Sequence, residues 1–195
     1  MATAADITTT TARPLRADAR RNREKIVNAA RAIVAEQGEA AQIDDVARKA
    51  GVGVGTVYRH FPNKDALMGE LVRVCVVECT ETARVCAEHE DAWEAFAGLV
   101  RSSCERAAQD AGFRRTWQAA DEAAAAYAAD AKAELHAVGG ELIDRAHAAG
   151  VLREDFTGED MPGLMCGLGA AIEALPEPDR WRRIVEFALD GLRAR

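Results

Sequence analysis

Between Gly51 and Pro62 the chain reads GVGVGTVYRHFP, and this run limits the fold more than any other stretch of the 195 residues. Three alternating glycines open it and a proline closes it. Pro62 lacks an amide donor and disfavours helical geometry at the residue before it, so a helix here ends by Phe61. In so short a helix, Val57 and Phe61 fall four apart on one side. If they are buried, Gly55, Thr56, Tyr58, Arg59 and His60 spread over the rest of the surface.

The preceding sequence supplies the support. From about Asp18, the residues Ile26, Ala29, Ala30, Ile33 and Val34 recur at helical spacing up to Gly38, a left-handed cap signal. A second helix with Ile43, Val46, Ala47 and Ala50 on one face ends at Gly51. The third begins about three residues later, so the pattern predicts a helix-turn-helix unit on a supporting first helix. Residues 1–17, rich in Thr and Ala without a helical apolar period, read as a disordered arm. Gly53 and Gly55 allow close approach of a partner's surface. The helix amino end favours phosphate, Thr56, Tyr58 and His60 offer donors, and Arg59 and Lys64 add charge.

Charge divides the chain at the same place. Residues 1–64 hold eleven Lys/Arg against seven Asp/Glu, and residues 65–195 hold fourteen against twenty-five, within an overall net charge of −7. A basic module joined to an acidic one points to polyanion binding by the first alone. Few aromatics and many alanines favour helix, so the expected class is all-α with about nine helices. The expected division is an arm at 1–17, a basic helix-turn-helix domain suited to a polyanion at 18–64 and an acidic helical domain at 65–195. No apolar run reaches membrane-spanning length, the first twenty residues lack a signal-peptide core, and five cysteines fit reduced thiols. A cytoplasmic protein is expected.

IDDVARKAGVGVGTVYRHFPNKDALM, residues 43–68, resembles the DNA-binding segment of the tetracycline-repressor-like (TetR) family of bacterial transcription regulators. The likeness covers about residues 19–68 and is most specific in YRHFPNKDAL. It implies a homodimer that sets one recognition helix per subunit in successive major grooves of a near-palindromic operator. It also implies a helical carboxyl domain that binds a small molecule and releases DNA. The family's contacts carry over to Gly55, Thr56, Tyr58, Arg59, His60 and Lys64, with Gln42 opening the second helix. Members often have Ser or Thr where Gln42 stands, and Ser then Lys where this chain has Gly53 and Val54. Val54 is therefore a candidate for apolar contact with a thymine methyl.

Beyond Asn63, a capping residue, a long helix runs to about Glu88 and carries Cys75, Cys79 and Cys86 towards one side. Small buried apolar groups are the simpler reading of these cysteines, and a redox or metal switch is the alternative. Further helices are expected at 91–109, 112–120 and 123–149, the last with Gly139 and Gly140 as a kink or close contact. Trp93, Phe96, Phe113, Trp117, Tyr127 and His136 are candidates to wall an effector pocket, against plain core packing. A helix opened by Pro162 places Gly163, Gly167 and Ala171 at four-residue steps beside Leu168. The last helix, from about Asp179, shows Trp181, Ile184, Val185, Ala188, Leu189 and Leu192 at core spacing. These two helices are expected to form the dimer interface as a four-helix bundle.

No GxSxG, HExxH or Walker motif occurs, and GxGxG at 51–55 follows no strand, so neither an enzyme nor a cofactor or metal is expected. A purely architectural DNA-binding protein would need little of the two thirds of the chain that follows the reading unit. The resulting expectation is a ligand-responsive DNA-binding regulator with repression as its sign.

Overall fold

The computed structural model describes residues 12–119, 121–175 and 177–195, and within them the chain is helical throughout apart from turns. α1 (Ala12–Gln37) is followed by a 3-10 turn, Gly38–Ala40, then α2 (Ile43–Ala50) and α3 (Val54–His60). α4 (Lys64–Ala87) is the long connector. α5 (Ala92–Gln109), α6 (Ala111–Gln118), α7 (Glu122–Tyr127), α8 (Ala129–Ala148), α9 (Met161–Ala174) and α10 (Pro178–Leu192) complete the bundle. α1 starts at Ala12, ahead of the start expected at Asp18, so residues 12–17 are helical instead of belonging to an arm; the remainder of that arm, residues 1–11, lies outside the described residues.

The turn chemistry follows the residues. Gly38 and Gly51 sit at φ 58° and 67°, the left-handed region that side-chain-bearing residues avoid. The Asn63 side chain accepts from the Ala66 amide at 2.8 Å and the Asp91 side chain from the Glu94 amide at 2.8 Å, capping α4 and α5. Asp110 and Asp121 do the same for α6 and α7.

Two cores share α4. Ile26, Ile33 and Val34 from α1, Val46 and Ala47 from α2, and Val57 and Phe61 from the α3 region close on Leu67 and Leu71 of α4. Higher up, Trp93, Phe96 and Val100 of α5 meet Phe113, Ile143, Phe156, Leu168, Ile172, Trp181, Val185 and Leu189. The carboxyl terminus is tied back by hydrogen bonds from the Arg153 amide to the Leu192 carbonyl (2.9 Å) and from the Ala194 amide to the Val151 carbonyl (3.1 Å).

The helix expected at 123–149 is two helices. It breaks at Ala128, where φ is −106° and ψ 10°, because α7 leans onto α4: Ala124 and Ala128 bury against Val72 and Val76. A Cβ added at Gly69 would come within 2.4 Å of the Tyr127 Cβ, so this glycine allows the close crossing. Gly139 and Gly140 lie inside the unbroken α8 and an added Cβ would meet nothing within 4 Å at either, so the kink or close contact expected there is absent.

α1 is bolted to α4 by two ion pairs with the same sequence offset. Arg23 Nη1 donates to Glu70 Oε1 at 2.5 Å, and Arg31 donates from both terminal nitrogens to Glu78 at 2.9 and 3.0 Å, each pair 47 residues apart. The equal offset means that the two helices run the same way along this contact. Arg31 also pairs with Asp110 (2.7 Å), and Arg106 reaches Glu78 at 3.3 Å. α6 locks the far end of α1: Arg115 donates to the Ala35 and Glu36 carbonyls at 2.8 and 3.3 Å. A Cβ on Gly112 would stand 2.7 Å from both the Cγ and the carbonyl oxygen of Arg31.

Burial tends to raise the Glu70 carboxyl, but hydrogen bonds from Arg73 and Arg23 outweigh it and hold the group down at about 2 instead of 4.5. A depressed carboxylate stabilises the fold above its unfolded value, and this contribution is lost as pH falls from 4.5 through about 2. Because both arginines are more than a third exposed, the contribution is about 1–2 kcal/mol at neutral pH and not the ~3 that the full shift converts to. Glu70→Gln is expected to lower unfolding free energy at pH 7 by about that amount and flatten the acid limb, measured by urea unfolding at several pH values.

Candidate nucleic-acid interface

α3 is held by its inner side. Val57 is 0% and Phe61 2% exposed, packed among α1, α2 and α4, and burying each stabilises the unit by about 1.5–3 kcal/mol. With those two anchored, helical geometry turns Val54, Gly55, Tyr58 and Arg59 outward. Tyr58 is 49% exposed, while Thr56 and His60 are half-buried. Arg59 folds back along its helix, donating from Nε to the Gly55 carbonyl and from Nη2 to Thr56 Oγ1, both at 3.2 Å. The His60 ring leans on Phe61, centroids 6.5 Å apart.

Gln42 stands exposed at the amino end of α2 and makes no side-chain cap; its Nε2 donates to the Ala40 carbonyl at 2.9 Å. Lys64 donates from Nζ to the Glu39 carbonyl at 2.9 Å, bridging the start of α4 to the 3-10 turn. Other cations of the unit are engaged by carboxylates: Arg48 with Asp45 (2.8 Å) and Lys49 with Glu36 (2.6 Å). A Cβ added at Gly53 or Gly55 would meet nothing within 4 Å, so the chain's own packing does not require glycine at either position. Gln42, Val54, Gly55, Thr56, Tyr58, Arg59, His60 and Lys64 thus lie on α3 or at the adjoining starts of α2 and α4.

The residues expected to wall an effector pocket separate into two groups. Trp93, Phe96 and Phe113 are buried, with Trp93 and Phe96 centroids 5.9 Å apart, Phe96 and Phe156 5.7 Å, and Phe113 and half-buried Trp117 6.4 Å. Tyr127 is 54% exposed and His136 is exposed, so these two do not converge with the others. Trp93 Nε1 is buried without a hydrogen-bond partner, and the Arg193 guanidinium lies over its ring at 4.1 Å. An open groove of about 580 Å³ runs between the end of α4 and α5, lined by Val85, Cys86, His89, Glu94, Gly98 and Arg101 among others.

The residues expected at a subunit interface divide similarly. Leu168, Trp181 and Val185 face their own chain's core, a correction that follows from the wide apolar face of α10 serving the bundle first. Gly163, Gly167 and Ile184 are exposed, Ala171, Ala188 and Leu192 half-buried. Phe187, 60% exposed on the outer side of α10, was not singled out by spacing; an aromatic three residues after Ile184 and outside the inward series was the available signal.

Burial pushes the Cys75, Cys79 and Cys104 thiols up to about 12, and raises Cys86 as well. Thiols so shifted are protonated at neutral pH. Among the described residues no group of three or more His, Cys, Asp or Glu is arranged to hold a metal, and the alternative of a switch through Cys75, Cys79 and Cys86 finds no support in this geometry. Nor is any helix among them long and apolar enough to cross a membrane. In native protein at pH 8, Ellman's reagent is expected to leave Cys75 and Cys104 unreacted until denaturant is added; prompt labelling of either contradicts their burial.

Comparison with known proteins agrees with this geometry. Residues 26–71 match the family described as bacterial regulatory proteins, tetR family, and residues 90–194 match the transcriptional regulator SbtR-like, C-terminal domain. An HTH-type transcriptional regulator of Staphylococcus aureus is 39% identical over 54 residues, 27% of this chain and 29% of that protein, so the match spans under a third of the curated relative. The crystal structure of a TetR transcription regulatory protein from Mycobacterium vanbaalenii is 32% identical and covers 93% of this chain and 100% of its own, with a TM-score of 0.61. FadR from Bacillus subtilis, crystallised with stearoyl-CoA, shares the fold at 17% identity, with a TM-score of 0.70 over 86% of this chain and 95% of its own.

Proposed function

The chain belongs to the TetR family of bacterial transcription regulators, and on that premise we propose that it is a homodimeric repressor released from a near-palindromic operator by a small-molecule effector. The observation that carries the DNA reading is the orientation of α3: Val57 and Phe61 inward, Val54, Tyr58 and Arg59 outward. Tyr58 and Thr56 donate to phosphate or base edges, Arg59 exchanges its contacts with Gly55 and Thr56 for DNA acceptors, and Val54 meets a thymine methyl. The side-chain-free surface at Gly53 and Gly55 leaves room for the sugar-phosphate backbone. The unit proposed to read DNA comprises residues 18–64, and residues 65–195 bind effector and dimerise.

The dimer is proposed to form through the outer faces of α9 and α10. Gly163, Gly167, Ala170 and Ala174 give α9 an exposed surface of small residues that admits close helix approach, and Ile184 and Phe187 stand beside it on α10. An effector with a hydrogen-bond acceptor suits the aromatic interior around Trp93, Phe96, Phe113 and Trp117, where the Trp93 indole N–H is unpaired. Its entry displaces α6, and the displacement has two paths. Arg115 and Gln118 of α6 reach Glu173 of α9 at 3.9 and 3.1 Å, while Arg115 also grips the carboxyl end of α1. Effector binding then alters the separation of two recognition helices that must match grooves about 34 Å apart.

Selection of bound duplexes from a random pool is expected to return a two-fold symmetric site. Tyr58→Ala is expected to lower affinity for that site by roughly tenfold with unchanged thermal stability, and recovery of no preferred sequence overturns the reading. By light scattering the protein is expected at twice the 21.0 kDa chain mass, and Phe187→Arg at the single-chain mass. A wild-type monomer at micromolar concentration sinks the proposed interface.

A further inference from the structure

α5 and α10 are zipped together by arginine–carboxylate forks in antiparallel register. Arg182 of α10 donates to Glu105 of α5 at 2.5 and 2.9 Å; four residues on in α10 and four back in α5, Arg101 donates to Glu186 at 2.7 and 2.9 Å. About two turns further, the same register brings Arg193 to the start of α5, at Trp93 and Glu94. There the carboxylate is missing. Glu94 turns along its own helix instead and accepts from Arg101 at 2.9 Å. Among the described residues the Arg193 side chain makes no hydrogen bond, and its ion pair with the solvated Asp190 is stretched to 3.9 Å. The guanidinium rests on the Trp93 ring, 4.1 Å from the centroid.

A second donor in the same place also lacks an acceptor. Trp93 is 4% exposed, and its indole N–H is buried without a partner. An unpaired buried N–H is costly, and a guanidinium binds an anionic acceptor more strongly than a neutral one, so together the two donors suit one carboxylate. A row of aromatic rings leads inward from them. Trp93 and Phe96 lie 5.9 Å apart and Phe96 meets Phe156 edge-on at 5.7 Å, all three within the bundle core. The cover is light. Beyond Leu192, α10 gives way to extended backbone at Arg193, with φ −63° and ψ 143°. This strap is tied to the loop after α8 by the Arg153 N–H to the Leu192 carbonyl (2.9 Å) and the Ala194 N–H to the Val151 carbonyl (3.1 Å).

We infer that Arg193 and the Trp93 indole N–H form the anion end of a binding site for a small apolar carboxylic acid, taken up as its carboxylate. One oxygen accepts from Trp93 Nε1 and the other from the Arg193 guanidinium. The apolar body lies along Phe96 and Phe156, and the strap moves aside for entry. The bound carboxylate supplies the rung that the α5–α10 zipper lacks. A single cation above an aromatic floor selects one negative charge with apolar bulk. The inference rests on the effector reading above and deepens it by naming the chemical class of the molecule and the side chains that select it.

The test is made without DNA. Isotope-labelled protein is titrated at pH 7 with phenylacetate and cyclohexylacetate, with their neutral amides, and with inorganic phosphate, and the three tryptophan indole N–H signals are followed by NMR. Trp93→Phe identifies the Trp93 signal by its loss. At least one acid is expected to move that signal and to bind at least about tenfold more tightly than its amide. Arg193→Gln is expected to erase the preference for acid over amide while the unfolding temperature stays that of wild type. A Trp93 signal that neither acid moves overturns the inference, as does equal binding of acid and amide or a preference that survives Arg193→Gln. A response to inorganic phosphate equal to that of the acids makes the place a general anion contact and overturns it too. Operator release is measured separately. An acid that binds as described yet leaves the operator complex intact upholds this site and strikes the effector reading instead.

Discussion

The placement of two side chains governs the reading surface. α3 is only seven residues long, too short to hold its own orientation, and its azimuth is set by Val57 and Phe61 entering the core that α1, α2 and α4 share. Once these two are buried, every other position on the helix has its direction decided. The same burial leaves Val54, Gly55, Tyr58 and Arg59 on the exposed side of the helix.

The ties around α1 make the reading unit and the bundle one mechanical object. Arg23 and Arg31 fasten it to α4 at matching offsets, and Arg31 reaches on to Asp110 at the start of α6. Arg115 then holds the last carbonyls of α1 from the opposite side. Guanidinium groups suit this task because a planar fork can serve two acceptors at once. These arginines are half-buried, where ion pairs are less screened than on the open surface.

Much of this architecture could be read from residues alone, because local chemistry decided it. Asn63 caps where expected, Gly38 and Gly51 take left-handed geometry, and the helical spacing of apolar positions in α1 to α4 matches their core. What escaped was decided by tertiary contact. Nothing in EAAAAYAADAKAEL marks Ala128 as a break; the break comes from α7 docking on Gly69, while the visible glycine pair at 139–140 does nothing to the helix. Tyr127 and His136, expected beside the buried aromatics, stand exposed. Periodicity also could not apportion α10, since the face that reads as apolar, with Trp181 and Val185, is consumed by the bundle and leaves Ile184 and Phe187 outside. The early start of α1 was missed because a helix without an apolar stripe carries no period to detect.

At Gly112 the backbone of α6 touches Arg31 of α1 with no space for even one more carbon atom. A joint with such contact has no backlash. Side chains between two helices usually flex and soak up part of a small shift, but here one main chain rests directly on its neighbour. Any side chain larger than hydrogen at this position would have to push α1 and α6 apart.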